Sequence, residues 1–182
     1  MFDEVQTGFA RTGEWFAWQH HFDSTSDTRP DVVTMAKALG NGVPIGAIWA
    51  KREVAAAFEP GDHATTYGGQ PLATSAARAV LRVMEAIDAP SRARAVGDDL
   101  MGKLLEVPNV IDTRGLGLLI AAEIDTEVVG MTGPEIALGC LDAGLVVNGI
   151  SPTAIRLAPP LTVSSEEIDE AMEILSAVLG GN

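Results

Sequence analysis

Apolar positions recur along this 182-residue chain with two periods, and the switching between them sets out its elements. Leu72, Ala76, Val80, Val83, Met84 and Ile87 follow the turn-rich stretch "HATTYGGQP" (63–71) at helical spacing and predict a helix that ends before Pro90. A second amphipathic helix is predicted over "PSRARAVGDDLMGKLLEV", and "GLGLLIAAEI" (115–124) reads as an apolar strand introduced by Gly115 and Gly117. "GPEIALGCLDAG" has Pro134 where a first helical turn tolerates a missing N–H and Gly144 where a left-handed stop falls. After that helix come a strand "LVVN", a turn at Pro152 and a strand "AIRLA". The last helix opens on Ser164-x-x-Glu167, a capping box, and lines Ile168, Met172, Leu175 and Leu179 on one face. Nearer the start, "DVVTMAKAL" (31–39) predicts a short helix or turn and "VPIGAIWA" (43–50) a strand with Pro44 at its entry, which leaves Lys37 at a junction. Strands and helices alternate, so the fold class is α/β, with a domain boundary near Pro90 that separates residues 1–89 from 90–182.

Composition narrows the chemistry. Hydrophobic residues make up 47% and charged ones 20%, a globular balance without low-complexity tracts. A formal charge of -13 with scattered Lys and Arg opposes binding to a phosphate backbone, so nucleic acid is set aside. Cys140 is the one cysteine, which rules out an internal disulfide and a CxxC pair, reads as a small buried hydrophobe and fits a reducing compartment. The start "MFDEVQ" lacks a basic segment followed by an apolar one, and the longest apolar run (115–122) falls far short of the about 20 residues that span a bilayer. No membrane association and a cytoplasmic location are expected.

Four stretches carry candidate chemistry, and each has an ordinary structural explanation on its own. Asp3 suits a turn or cap, Lys37 a solvated helix charge, Thr66 a loop hydroxyl and Arg156 the exposed side of an edge strand. Their order and local sequence change this. "FDEVQTGFARTG", "MAKALGNGVPIGA", "HATTYGGQPLA" and "AIRLAPPLTVS", with "TRGLGLLIAAEI", resemble in sequence order the C-terminal half of the class III pyridoxal-phosphate aminotransferases, most of all their acetylornithine-type members. The resemblance covers essentially the whole chain. It implies the C-terminal part of a fold-type I transferase: part of the sheet of the large cofactor-binding domain (1–89) and a small α/β C-terminal domain (90–182).

The same resemblance implies the roles of the residues. Lys37 would carry the amine that condenses with the cofactor aldehyde and, once displaced, move a proton as general acid and base, a task that suits a lysine whose pKa burial and neighbouring charge can lower. Asp3 would face the pyridine nitrogen and keep it protonated, so that the ring can take up electrons, while Gln6 would hydrogen-bond the phenolic oxygen. Glu4 would point the other way, since neighbours on an extended segment face opposite sides. Thr66 would donate its hydroxyl to the cofactor phosphate of the partner subunit, with Thr65 a companion, and Gly68 and Gly69 would let the backbone come close. Arg156 would hold a substrate carboxylate through its planar fork, on a segment stiffened by Pro159 and Pro160. The implied reaction moves an amino group from N-acetylornithine or a similar ω-amino donor to 2-oxoglutarate in a homodimer; ornithine, 4-aminobutyrate and succinyl-diaminopimelate are alternative donors.

Other patterns are declined. His20 and His21 lack HExxH or a second ligand cluster and read as solvated or capping residues, so no metal is expected. "GLGLLI" has Ile120 where a dinucleotide fingerprint needs glycine. Trp15, Phe16, Trp18 and Phe22 read as an apolar surface under neighbouring structure. The sequence departs from the family pattern at Ala10, at Gln70 and in an insertion around Ser24 to Thr28. The family's N-terminal part, with its phosphate-binding loop and ring-stacking aromatic residue, does not precede Asp3 here, so the chain is expected to be a C-terminal fragment, and an inactive one unless a separate N-terminal half completes it.

Overall fold

The computed structural model describes residues 1–22 and 29–180, and the chain falls into two compact units, Met1–Ser91 and Arg92–Asn182. The insertion expected around Ser24 to Thr28 lies outside the described residues.

The first unit holds a three-stranded sheet ordered β1-β2-β3, formed by β1 (Phe2–Asp3), β2 (Val32–Met35) and β3 (Ala47–Ala50). β1 runs parallel to β2 and β3 antiparallel to it. Here the structure corrects the helix or turn expected over 31–39. Val32, Val33 and Thr34 are β-branched and stiff at χ1, which suits a strand, and only Lys37–Leu39 turn, as a single 3-10 turn. The strand expected from Val43 is shorter too and begins at Ala47, past Pro44. Beyond β3 come a short α1 (Arg52–Ala55) and α2 (Pro71–Ala86), which starts on a proline at its first turn and ends before Pro90, as its spacing predicts.

From α3 (Ala89–Glu106) the chain enters the second unit, an antiparallel sheet ordered β4-β5-β7-β6. The strand expected over 115–124 is instead a hairpin. β4 (Val110–Leu116) and β5 (Leu119–Ile124) are joined at Gly117, whose φ of 54 is the left-handed value the tight turn requires. After α4 (Thr126–Val129), α5 (Gly133–Asp142) begins in a capping box between Thr132 and Glu135. It ends in a Schellman motif: Gly144 N donates to Leu141 O at 3.0 Å and Leu145 N to Cys140 O at 2.8 Å, with Gly144 at φ 96. The strand expected over Leu145–Asn148 shrinks to β6 (Asn148–Gly149), followed by β7 (Ala154–Leu157) and α6 (Ser165–Gly180). The predicted cap of α6 is present, with Ser164 N donating to Glu167 Oε2 at 2.7 Å and Glu167 N to Ser164 Oγ at 3.2 Å.

One face of this sheet and the helices enclose a hydrophobic core. Ile120, Ala122 and Ile124 alternate inward from β5, Ile155 and Leu157 from β7, and they meet Leu100, Leu104, Ile136, Cys140 and the predicted α6 face of Ile168, Met172, Leu175 and Leu179. Burial pushes the Cys140 thiol pKa up, in keeping with a small core residue. Among the described residues, no helix is long and apolar enough to cross a membrane.

Candidate active site

Asp3 is the last residue of β1 and pairs with Thr34 of the parallel β2. Parallel strands share a carboxyl end, so Asp3 and Lys37, which follows directly on the exit of β2, leave the sheet at the same edge. In open α/β sheets that edge is where ligands bind. Asp3 is exposed, and its Oδ1 accepts from Thr34 Oγ1 at 3.2 Å and from Val5 N at 3.0 Å. Both bonds fall on one oxygen, and Oδ2 has no partner among the described residues.

Lys37 sits in a left-handed backbone conformation, φ 42, which costs a residue with a Cβ of order 1–3 kcal/mol and gathers at functional sites. The turn is held from behind: Lys37 O accepts from Gly40 N at 3.0 Å and from Asn41 N at 3.1 Å. Gly40 has to be glycine for this closure, since a Cβ there would lie 2.1 Å from Val43 O and 2.7 Å from Ile45 Cγ2. The turn also packs against α2. Of the chain's three lysines, the other two are engaged. Lys51 Nζ is 2.8 Å from Asp31, and Lys103 Nζ is 2.5 Å from Asp169 and 3.4 Å from Asp99; these partners raise both lysine pKa values and keep both amines charged. Lys37 makes no ion pair among the described residues.

Gln6 is half-buried in the turn that leaves β1, a turn closed by Gly8 N donating to Glu4 O at 2.9 Å. Thr66 lies exposed on the segment before α2. Its neighbour Thr65 has a local task, accepting from Gly68 N at 3.1 Å, and a Cβ on Gly68 would meet Thr65 Cγ2 at 2.3 Å. Arg156 belongs to the second unit. It is half-buried on β7, an interior strand and not the edge strand its sequence suggests, and its Nη2 donates to Asn148 Oδ1 at 3.2 Å. The first unit thus brings Asp3, Gln6 and Lys37 to one edge of its sheet, with Thr66 elsewhere in the same unit.

Glu4 does face away from Asp3, and it has work that the sequence did not reveal. It is 2% exposed, and its carboxylate accepts from Ala17 N at 3.1 Å, Trp18 N at 2.9 Å and the Thr7 hydroxyl. His20 bonds locally, its Nε2 lying 3.0 Å from Thr12 O, and the described residues contain no group of three or more metal-binding side chains. Phe9 packs on Phe16 and Phe2 on Phe22.

The family described as "Aminotransferase class-III" matches residues 1–179. Acetylornithine aminotransferase of Methanothermobacter thermautotrophicus is 42% identical over 98% of this chain and 44% of its own length; that of Gloeobacter violaceus is 45% identical over 98% and 43%. Among solved structures, ornithine aminotransferase from Plasmodium yoelii superposes with a TM-score of 0.82 at 34% identity, covering 98% of this chain and 47% of that one. The chain therefore spans less than half the length of the curated relatives it matches.

Proposed function

The chain belongs to the class-III aminotransferases, and from that premise we propose that the protein carrying it moves an amino group from N-acetylornithine, or a similar ω-amino donor, to 2-oxoglutarate. Its α/β fold, with one mixed and one antiparallel sheet, corresponds to part of a fold-type I transferase. Residues 1–89 are read as part of the large domain and 90–182 as the small one. The observation that carries the reading is the parallel pairing of β1 with β2, from which Asp3 and Lys37 emerge at one carboxyl edge.

The residues present suit the family's cofactor, pyridoxal 5'-phosphate. Among the described residues Asp3 offers a carboxylate oxygen without a partner and Lys37 an amine outside any ion pair, and Thr66 adds an exposed hydroxyl, a set that matches a ring nitrogen, an aldehyde and a phosphate. Bound there, the cofactor supplies the aldehyde that takes up the amino group and a ring that stores an electron pair. Lys37 would hold the cofactor through its amine and, once freed, would move the proton at the substrate carbon as general acid and base. Asp3 would keep the ring nitrogen charged, Gln6 would donate its amide N–H to the phenolic oxygen, Thr66 would bind the cofactor phosphate of the second subunit of a homodimer, and Arg156 would bind a substrate carboxylate. A cytoplasmic location accords with the single, buried cysteine.

Borohydride reduction in the presence of pyridoxal phosphate, followed by peptide mapping, tests the reading. A pyridoxyl adduct on Lys37 is expected, and its absence, or an adduct confined to Lys51 or Lys103, refutes the assignment. The coverage of less than half of each relative favours a second reading for the 182 residues by themselves, in which they turn over only when joined by the remaining half of such an enzyme. Transaminase turnover by these residues alone would dismiss it.

A further inference from the structure

The outer face of the second unit's sheet carries one continuous cross-strand row. Register sets Arg114 of β4 opposite Ala121 of β5, Ala121 opposite Arg156 of β7, and Arg156 opposite Asn148 of β6. Two guanidinium groups therefore flank a single methyl group. Glu123 is the acid placed to interfere, since it stands two residues along β5 from Ala121, on the same face and diagonal to Arg156, a spacing that long side chains bridge. It pairs elsewhere. Arg114 Nη1 lies 2.9 Å from Glu123 Oε2, and the Thr153 hydroxyl donates to Oε1. Thr153 and Arg114 hold the Glu123 pKa below the ordinary carboxyl range, so it stays ionised and engaged.

Arg156 itself has no charged partner among the described residues. Its one partner among the described residues is the neutral amide of Asn148, and its Nε is buried without a hydrogen bond. Asn148 in turn sits on a strand with little freedom: a Cβ on the adjacent Gly149 would lie 2.5 Å from Pro134 N, and one on Gly133 2.4 Å from Ser151 O. We propose that Arg114 and Asn148 are positioning residues that keep Arg156 available to a substrate carboxylate, Arg114 by holding Glu123 away from it and Asn148 by orienting the guanidinium through a neutral acceptor. The proposal rests on the reading of Arg156 as the carboxylate-binding residue.

The test follows phenylglyoxal modification of Arg156 by peptide mapping, with and without 2-oxoglutarate, and in parallel the KM and kcat of the protein that carries this chain. In the unaltered protein 2-oxoglutarate protects Arg156. In Arg114→Met, which keeps the apolar stem, Glu123 is released toward Arg156, and the concentration needed for protection and the KM both rise about tenfold while kcat changes less. Adding Glu123→Gln to that variant restores both, which a general structural defect would not do. Asn148→Asp, which leaves the Arg114 side untouched, is expected to weaken protection to the same degree by pairing a charge with Arg156. It serves independently should Arg114→Met fail to fold. Unchanged protection in the single variants, or a double variant no better than Arg114→Met, overturns the proposal. Absence of protection in the unaltered protein is a separate failure: it removes Arg156 as the carboxylate site, and this role of Arg114 and Asn148 with it.

Discussion

Asp3 and Glu4 are adjacent acids with opposite surroundings, and the difference decides what each substitution does. Asp3 is exposed at the sheet edge, whereas Glu4 is buried against the amides of Ala17 and Trp18 and the hydroxyl of Thr7. Truncating Glu4 orphans two half-buried N–H groups, each costing up to about 1–3 kcal/mol when unmet, so Glu4→Ala is expected to lower stability by about 2–4 kcal/mol. Urea unfolding checks this, and a loss no larger than that of an exposed carboxylate would show that the loop is held by other contacts. Alternation along an extended segment was enough to turn Glu4 away from Asp3. Its partners could not be read in the same way, because they lie 13 and 14 residues on and are reached only by the fold of the loop. The same holds for Asn148 and Arg114. Sequence order identifies Arg156 as a candidate, but which side chains stand beside it depends on strand register, and β7 meets β5 only after the intervening helices and β6 have folded.

At the scale of elements, helix α3 contains its own control. Glycine in a helix interior ordinarily costs about 0.5–1 kcal/mol relative to alanine. Gly102 has open space around it, so Gly102→Ala is expected to stabilise by about that amount. At Gly97 a Cβ would lie 2.1 Å from Gly117 O in the β4–β5 turn, and rigid backbone is in the way; Gly97→Ala is expected to destabilise by about 1–3 kcal/mol. Thermal melts of the two variants should therefore shift in opposite directions. Helix α5 supplies a pH-dependent case. The Glu135 carboxylate accepts from the backbone N and then the hydroxyl of Thr132, which lowers its pKa from the ordinary 4.5. A carboxyl with a depressed folded pKa stabilises fully above its unfolded value and loses that contribution as pH falls through the folded one. The gap in melting temperature between the unaltered protein and Glu135→Ala should thus be constant near neutrality and close on acidification below 4.5. The long helices and the α6 cap were legible because period and capping chemistry act locally. β2 and the β4–β5 hairpin were not: three β-branched residues and a methionine followed by Ala-Lys-Ala-Leu fit either element, and the turn at Gly117 and Leu118 hides inside an apolar run that reads as one strand.

For the whole molecule, the two units differ in how far each closes on itself. Every member of the main hydrophobic cluster, from Ala93 to Leu179, comes from the second unit, where α3, strands β4, β5 and β7, α5 and α6 all contribute. The first unit buries few large apolar side chains, chiefly Phe9, Val33, Leu39 and Met84, and leaves Ile48 62%, Trp49 46% and Leu72 77% exposed. Both outer strands of its sheet are open edges among the described residues, a condition that invites further pairing. A fragment spanning residues 89–180 lies above the size below which small domains need disulfides or metals, and it contains its own core. It is expected to unfold cooperatively in urea, and Leu175→Ala, at a fully buried position, should destabilise it by about 2–5 kcal/mol. A fragment of residues 1–88 is expected to bind a hydrophobic dye and to lack a sharp transition, because its strand edges and the apolar face of β3 have nothing of their own to cover them. The two outcomes are linked by one cause, the share of apolar surface each unit encloses by itself. A broad transition for 89–180 would show that its packing depends on residues outside that span, and a sharp one for 1–88 that three short strands and α2 suffice where the burial pattern says they do not.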